Sequence, residues 1–348
     1  MKIADREIGL EHRPYLIAEM SGNHNQSLER ALEIVDAAAR SGADAIKLQT
    51  YTADTMTLDI TAPGFVIEDP DSLWAGRQLY ELYAEAHTPW DWHKPIMERA
   101  ASHGMHCFST PFDDTAVDFL MSLGVPAFKI ASFECTDLPL IRKVASTGKP
   151  MIISTGMATV AEIDDAVRAA RQGGCQDVIL LKCTSTYPAT PRNTNVRTVP
   201  HMRQMFSGCE VGLSDHTMGC GAAVAAVAYG AVLIEKHFTL RRADGGVDSA
   251  FSLEPEEFAQ LRAETERAWQ SLGGVAYGTQ PAEEKSTAFR RSLYISRDVK
   301  AGDMLTHENV RIIRPGYGLP PKFHDIILGK RVNRDAGVGT PIDWDLLG

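Results

Sequence analysis

The 348-residue chain has no Cys-x-x-Cys pair, and its six cysteines, Cys107, Cys135, Cys175, Cys183, Cys209 and Cys220, are scattered along it. That spacing excludes a compact disulfide framework and predicts reduced, buried thiols in a cytoplasmic protein. Basic excess is missing as well. With 35 Lys and Arg against 45 Asp and Glu the net charge is -10, so no broad cationic face is available for nucleic acid. Any anionic ligand must be met by locally clustered Lys and Arg. Long apolar runs are absent too: the most apolar stretch, 221–234, is too short and too glycine-interrupted to span a bilayer. The first seven residues carry charges of both signs and no apolar core of the signal-peptide kind. No Gly-x-Gly-x-x-Gly follows an early strand, which argues against an open doubly wound sheet.

What the chain does have is a regular beat of short apolar runs and amphipathic segments. The runs predict strands at 15–21, 45–50, 106–110, 127–132, 151–155, 178–184, 211–216 and 232–239. Helical spacing falls at 27–40, 90–103, 113–123, 138–147, 160–172, 199–206, 219–229 and 255–272, several of these closed by glycine. Eight strand-helix units are a barrel count, so the expected fold is an α/β (β/α)8 TIM barrel. Residues 51–88, broken by Pro63, Gly64, Pro70 and Gly76, read as an insertion over one mouth of it. The expected division is a catalytic barrel over 1–275, a linker over 276–292 and a small β-rich domain over 293–348.

In such barrels the chemistry collects where the strands end. Here those ends carry Glu19, Lys47 and Gln49, Ser109 and Thr110, Lys129 and Ser132, Ser154, Lys182, Ser214 and His216, and Glu235 to His237. The two histidines are the centre of the pattern. Neighbouring parallel strands lie roughly 5 Å apart, so imidazoles at matched ends of the last two strands can share one metal ion. Four strands also end in a lysine, at 47, 129, 182 and 236, among apolar neighbours. An unpaired buried ammonium is costly, and an anionic ligand would answer that cost. A Schiff-base aldolase using Lys129 or Lys182 is a second reading of the same residues. A carbohydrate-binding protein working through its C-terminal domain is a third.

The segments Ile-Ala-Glu19-Met-Ser-Gly-Asn23-His24-Asn, Ala-Ile-Lys47-Leu-Gln49-Thr, Phe-Ser-Thr110-Pro-Phe, Phe-Lys129-Ile-Ala-Ser132, Ser154-Thr-Gly-Met, Gly-Leu-Ser214-Asp-His216-Thr and Glu235-Lys-His237-Phe-Thr resemble the sialic acid synthase (NeuB-like) family. The C-terminal Ile-Arg314-Pro-Gly-Tyr-Gly-Leu-Pro-Pro resembles the antifreeze-protein-like (SAF) domain that these enzymes carry. The resemblance implies a transferase that condenses phosphoenolpyruvate with the open-chain aldehyde of an acetamido sugar and water, releasing phosphate. It implies His216 and His237 as ligands of Mn²⁺, Mg²⁺ or Co²⁺, and Lys47, Thr110, Lys129, Ser132, Ser154 and Ser214 as the phosphoenolpyruvate pocket. Glu19 and Gln49 are implied toward the sugar and the metal-bound water. Ser185, Tyr187 and Asp248 are further substrate-binding candidates, and Glu235, then Glu19, with Lys129, are the candidate catalytic groups.

Arg314 is implied to reach a neighbouring subunit's site in a domain-swapped homodimer. The wording around Asn23, Thr52 and Asp248 is most similar to the branch whose sugar is 2,4-diacetamido-2,4,6-trideoxy-L-altrose. The branches that make N-acetylneuraminate or legionaminate are the alternative, and N-acetylneuraminate synthases typically carry an Asn in the motif that here reads Cys-Thr-Ser185-Thr-Tyr-Pro.

Overall fold

A run that is apolar on both faces is buried on both, and pairing with like runs on either side satisfies its backbone. In the computed structural model, which describes all 348 residues, the eight runs do this by closing into a ring. The strands are β1 (Tyr15–Glu19), β2 (Ala45–Thr50), β3 (His106–Pro111), β4 (Phe128–Ile130), β5 (Met151–Ser154), β6 (Val178–Cys183), β7 (Glu210–Ser214) and β8 (Leu233–His237). All pairs are parallel, and β8 returns to β1 with His237 opposite Glu19.

Eight helices form the outer layer: α1 (Leu28–Arg40), α2 (His93–Ser102), α3 (Asp114–Ser122), α4 (Leu138–Ala145), α5 (Val160–Gln172), α6 (Thr198–Met205), α7 (Gly221–Ala228) and α8 (Pro255–Leu272). Their starts follow from side chains. Ser27 accepts from the Arg30 amide at the head of α1, and Thr159 with Glu162 closes a capping box at the head of α5. Inward faces such as Ala31, Ile34, Val35 and Ala38 of α1 are fully buried against the barrel.

The expected fold is therefore observed, with strands that end earlier than the apolar runs. Ser21, read as strand, already turns away from the ladder with a φ of 47°, and the Thr239 amide donates to Leu253 O outside the barrel. The insertion has structure of its own. Short helices at Ala53–Met56 and Leu79–Ala86 flank a hairpin in which the Ile67 amide donates to Arg77 O at 2.9 Å and the Leu79 amide to Phe65 O at 2.9 Å. A small N-terminal hairpin, Lys2–Ile3 with Arg6–Glu7, was not foreseen.

The chain divides into two units, Met1–Gly273 and Gly274–Gly348. In the second, β9 (Ser292–Ile295) pairs antiparallel with β10 (Val310–Ile313) around a core that includes Leu293, Ile295, Leu305, Ile327 and Ile342. A 3-10 stretch, Pro281–Phe289, occupies most of the segment read as linker. No helix is long and apolar enough to cross a membrane.

Candidate active site

Side chains alternate along a strand, so each strand sends every second residue into the barrel mouth. There they line a cavity of about 330 Å³. Glu19, Lys47, Gln49, Thr110, Lys129, Ser132, Ser154, Tyr187, Ser214, His216, Glu235, His237 and Asp248 all lie on its wall. Ser185 does not, but its hydroxyl stands behind Gly156, where any side chain would strike it and Ser132. Arg314 belongs to the second unit.

The same alternation corrects the reading of four lysines as one anion-binding set. Lys47 and Lys129 face the cavity; Lys182 and Lys236, each one residue out of phase with a cavity residue, do not. The Lys182 ammonium donates to Cys183 O at 2.6 Å and Thr184 Oγ1 at 3.1 Å. Fully buried Lys236 pairs with Asp215 at 2.9 Å and donates to the carbonyls of Thr217 and Gly219 at 2.6 and 2.8 Å. It braces the loop that carries His216. A Schiff-base role for Lys182 is thereby removed.

The two inward lysines sit among carboxylates. Lys47 Nζ lies 2.6 Å from Glu19 Oε2 and 3.8 Å from Glu235 Oε1, and donates to Thr110 Oγ1 at 3.1 Å. Lys129 Nζ lies 3.7 Å from Glu235 Oε1 and donates to Ser154 Oγ at 2.7 Å. Burial alone would raise the Glu235 pKa, but Lys129, Lys47 and His216 outweigh it and hold the carboxyl below its ordinary range. Glu19 goes the other way. Burial, reinforced by the charge of Glu235, pushes it to about 7 in spite of Lys47. Two neighbouring carboxyls with opposed shifts divide naturally into a proton acceptor and a proton donor.

His216 and His237 meet with ring centroids 5.3 Å apart. The Tyr187 ring packs 4.5 Å from the first and the Phe251 ring 4.9 Å from the second, centroid to centroid. Thr184 O lies 2.9 Å from His216 Nδ1 and orients the ring; burial would lower the His216 pKa, but Cys183, Thr184 O and Glu235 raise it, so a cation arriving at the other nitrogen would displace a proton. His237 Nδ1 is buried with no hydrogen-bond partner, and burial, with His216 and the lysines, keeps that ring neutral. The nearest carboxylate to it is Asp248, at 3.9 Å. No group of three or more His, Cys, Asp or Glu is assembled for a metal. The chain thus supplies two imidazoles side by side, and water and substrate oxygens would complete the shell of any ion held between them.

Several cavity residues lie outside the expected site set, among them Glu134, Cys183 and Ser21, the last expected only as the end of a strand. Glu134 has a buried, unpartnered Oε2, and burial moves its pKa to about 7. Ser21 donates to the Asp248 carboxylate and accepts from Gln49 at 3.1 Å. Cys183 reads as plain core, yet it is on the wall; burial would raise its pKa, but His216 beside it brings it down to about 7. Glu134 left a signal, a carboxyl two residues past Ser132 at the end of a strand.

A closed parallel barrel whose mouth gathers two histidines, two lysines and the carboxylates beside them marks an α/β-barrel enzyme. The profile of the NeuB family matches residues 34–277 and that of the SAF domain residues 290–348, so the chain belongs to the NeuB family and ends in a SAF domain. It is 43% identical to the pseudaminic acid synthase of Campylobacter jejuni over 95% of this chain and 96% of that one. With the pseudaminic acid synthase of Helicobacter pylori the identity is 40%, over 95% and 97%. A crystal structure of the N-acetylneuraminic acid synthetase of Leptospira borgpetersenii, 30% identical, superposes with a TM-score of 0.72 over 82% of this chain and 94% of that one.

Proposed function

We propose that the protein is a pseudaminic acid synthase, condensing phosphoenolpyruvate with 2,4-diacetamido-2,4,6-trideoxy-L-altrose and water to give pseudaminic acid and phosphate. The observation that carries this is the meeting of His216 and His237 in one cavity with Lys47 and Lys129. Lys47 and Lys129, with Thr110, Ser132, Ser154 and Ser214, supply point charges and hydroxyl donors suited to a phosphate and a carboxylate. Mn²⁺, Mg²⁺ or Co²⁺ bound by the two imidazoles would polarise the sugar aldehyde oxygen. C3 of phosphoenolpyruvate then bonds to the aldehyde carbon. Water adds at C2, its proton passing to Glu235, and phosphate departs with cleavage of its bond to C2. Glu19, the carboxyl of higher pKa, is placed to deliver a proton to the leaving phosphate or the new hydroxyl.

The working form proposed is a homodimer in the cytoplasm, with Arg314 serving the partner's site. Six unpaired cysteines suit a reducing compartment. Purified protein given phosphoenolpyruvate and the altrose derivative should release phosphate, lose that activity to a chelator and regain it with Mn²⁺. Phosphate release with N-acetylmannosamine alone would move the protein to the neuraminate branch, and borohydride trapping on Lys129 would replace the mechanism.

A further inference from the structure

The cavity has two sides of different chemistry. Toward the strands it presents lysines, hydroxyls and carboxylates; toward the insertion it presents the side chains of Met56, Ile67, Trp74, Leu79 and Leu82, with Tyr51 and Tyr83 beside them. Of Ile67 and Trp74, the hairpin residues in this wall, the single polar group is already engaged, because the Trp74 indole N–H donates to Val247 O at 2.9 Å. Trp74 then stands against Tyr187, centroids 5.9 Å apart, and Tyr187 against His216. The hairpin behind them is closed by its own backbone bonds, Gly76 N to Ile67 O at 2.8 Å among them. The hairpin is therefore tied to the barrel through Trp74, and the faces that Ile67 and Trp74 turn to the cavity are apolar.

We infer that Ile67 and Trp74 are the residues that select a deoxygenated, N-acylated sugar over a hydroxylated one. The inference rests on the reading of the site as a nonulosonic acid synthase. A sugar lying against these faces loses water from whatever groups meet them. A C6 methyl and acetamido methyls gain from that transfer. The C6 hydroxyl and C4 hydroxyl of N-acetylmannosamine, finding no partner on these side chains, lose their hydration without replacement. Trp74 has a second part, since its bond to Val247 also holds the backbone next to Asp248.

The test compares kcat/KM for phosphate release with the diacetamido-trideoxy altrose and with N-acetylmannosamine, in wild type, Ile67→Asn, Ile67→Leu and Trp74→Phe. Ile67→Asn should lower kcat/KM for the altrose derivative roughly 10- to 100-fold, mainly through KM for that sugar. KM for phosphoenolpyruvate should stay unchanged and the ratio between the sugars should fall. Ile67→Leu should restore the ratio, and Trp74→Phe, which keeps the apolar face, should preserve it better than Ile67→Asn does. If Ile67→Asn reduces both sugars by the same factor, or neither, the inference is overturned while the function stands. If wild type accepts only N-acetylmannosamine, the function and the inference fall together.

Discussion

Glu134 shows how a single side chain can report on a site before any ligand is added. Its carboxyl is lifted from the ordinary 4.5 to about 7 by burial, so the folded chain keeps a proton that the unfolded chain has released across that window. Folding is then most favoured below about 4.5 and weakens as pH rises through 7. Glu134→Gln removes the titration. Thermal unfolding from pH 4.5 to 8 should show wild type losing ground to Glu134→Gln up to about pH 7, with a constant gap above it. A gap that does not change with pH would mean that Glu134 is already ionised at pH 5. Residue identity was legible in the sequence wherever a strand delivered it: thirteen of the expected site residues do line one cavity. What sequence could not settle was phase. Lys236 and Glu235 are neighbours with opposite fates, and only the register of the ladder decides which of them enters the barrel.

At the scale of elements, the beat of apolar runs was enough for eight strands and eight helices, because a buried strand and an amphipathic helix differ in period. The insertion was not legible in the same way. Its hairpin and its two short helices are held by backbone bonds and by Trp74, none of which leaves a periodic stripe. Close packing between strands also leaves little trace beyond a glycine. In β7, a Cβ on Gly212 would collide with the Leu233 carbonyl oxygen and come within 2.8 Å of Leu181 Cδ2. Gly212→Ala should cost about 1–3 kcal/mol in urea unfolding, through overpacking. Because Ser214 and His216 lie directly downstream, it should also weaken Mn²⁺ binding, while Gly64→Ala, which meets nothing, should leave Mn²⁺ binding at the wild-type level.

For the whole molecule, the proposed dimer gives a test that needs no structure of the assembly. Glu235→Gln disables a barrel, and Arg314→Ala disables whatever site the second unit serves. If Arg314 serves its own barrel, mixing the two variants restores nothing. If it serves the partner's, each mixed dimer contains one intact site, and an equal mixture should recover up to about a quarter of wild-type turnover through subunit exchange. Phosphate release after co-refolding the two variants measures it.

The ammonium of Lys236, gripped by a carboxylate and two carbonyls, works as a rivet beneath the loop of His216. An imidazole on a riveted loop has no search to make when an ion arrives and no slack to take up when it leaves. If the proposed ion is bound there, its removal should silence the enzyme without loosening it, and amide exchange across 215–219 should run at the same rate with Mn²⁺ as with a chelator.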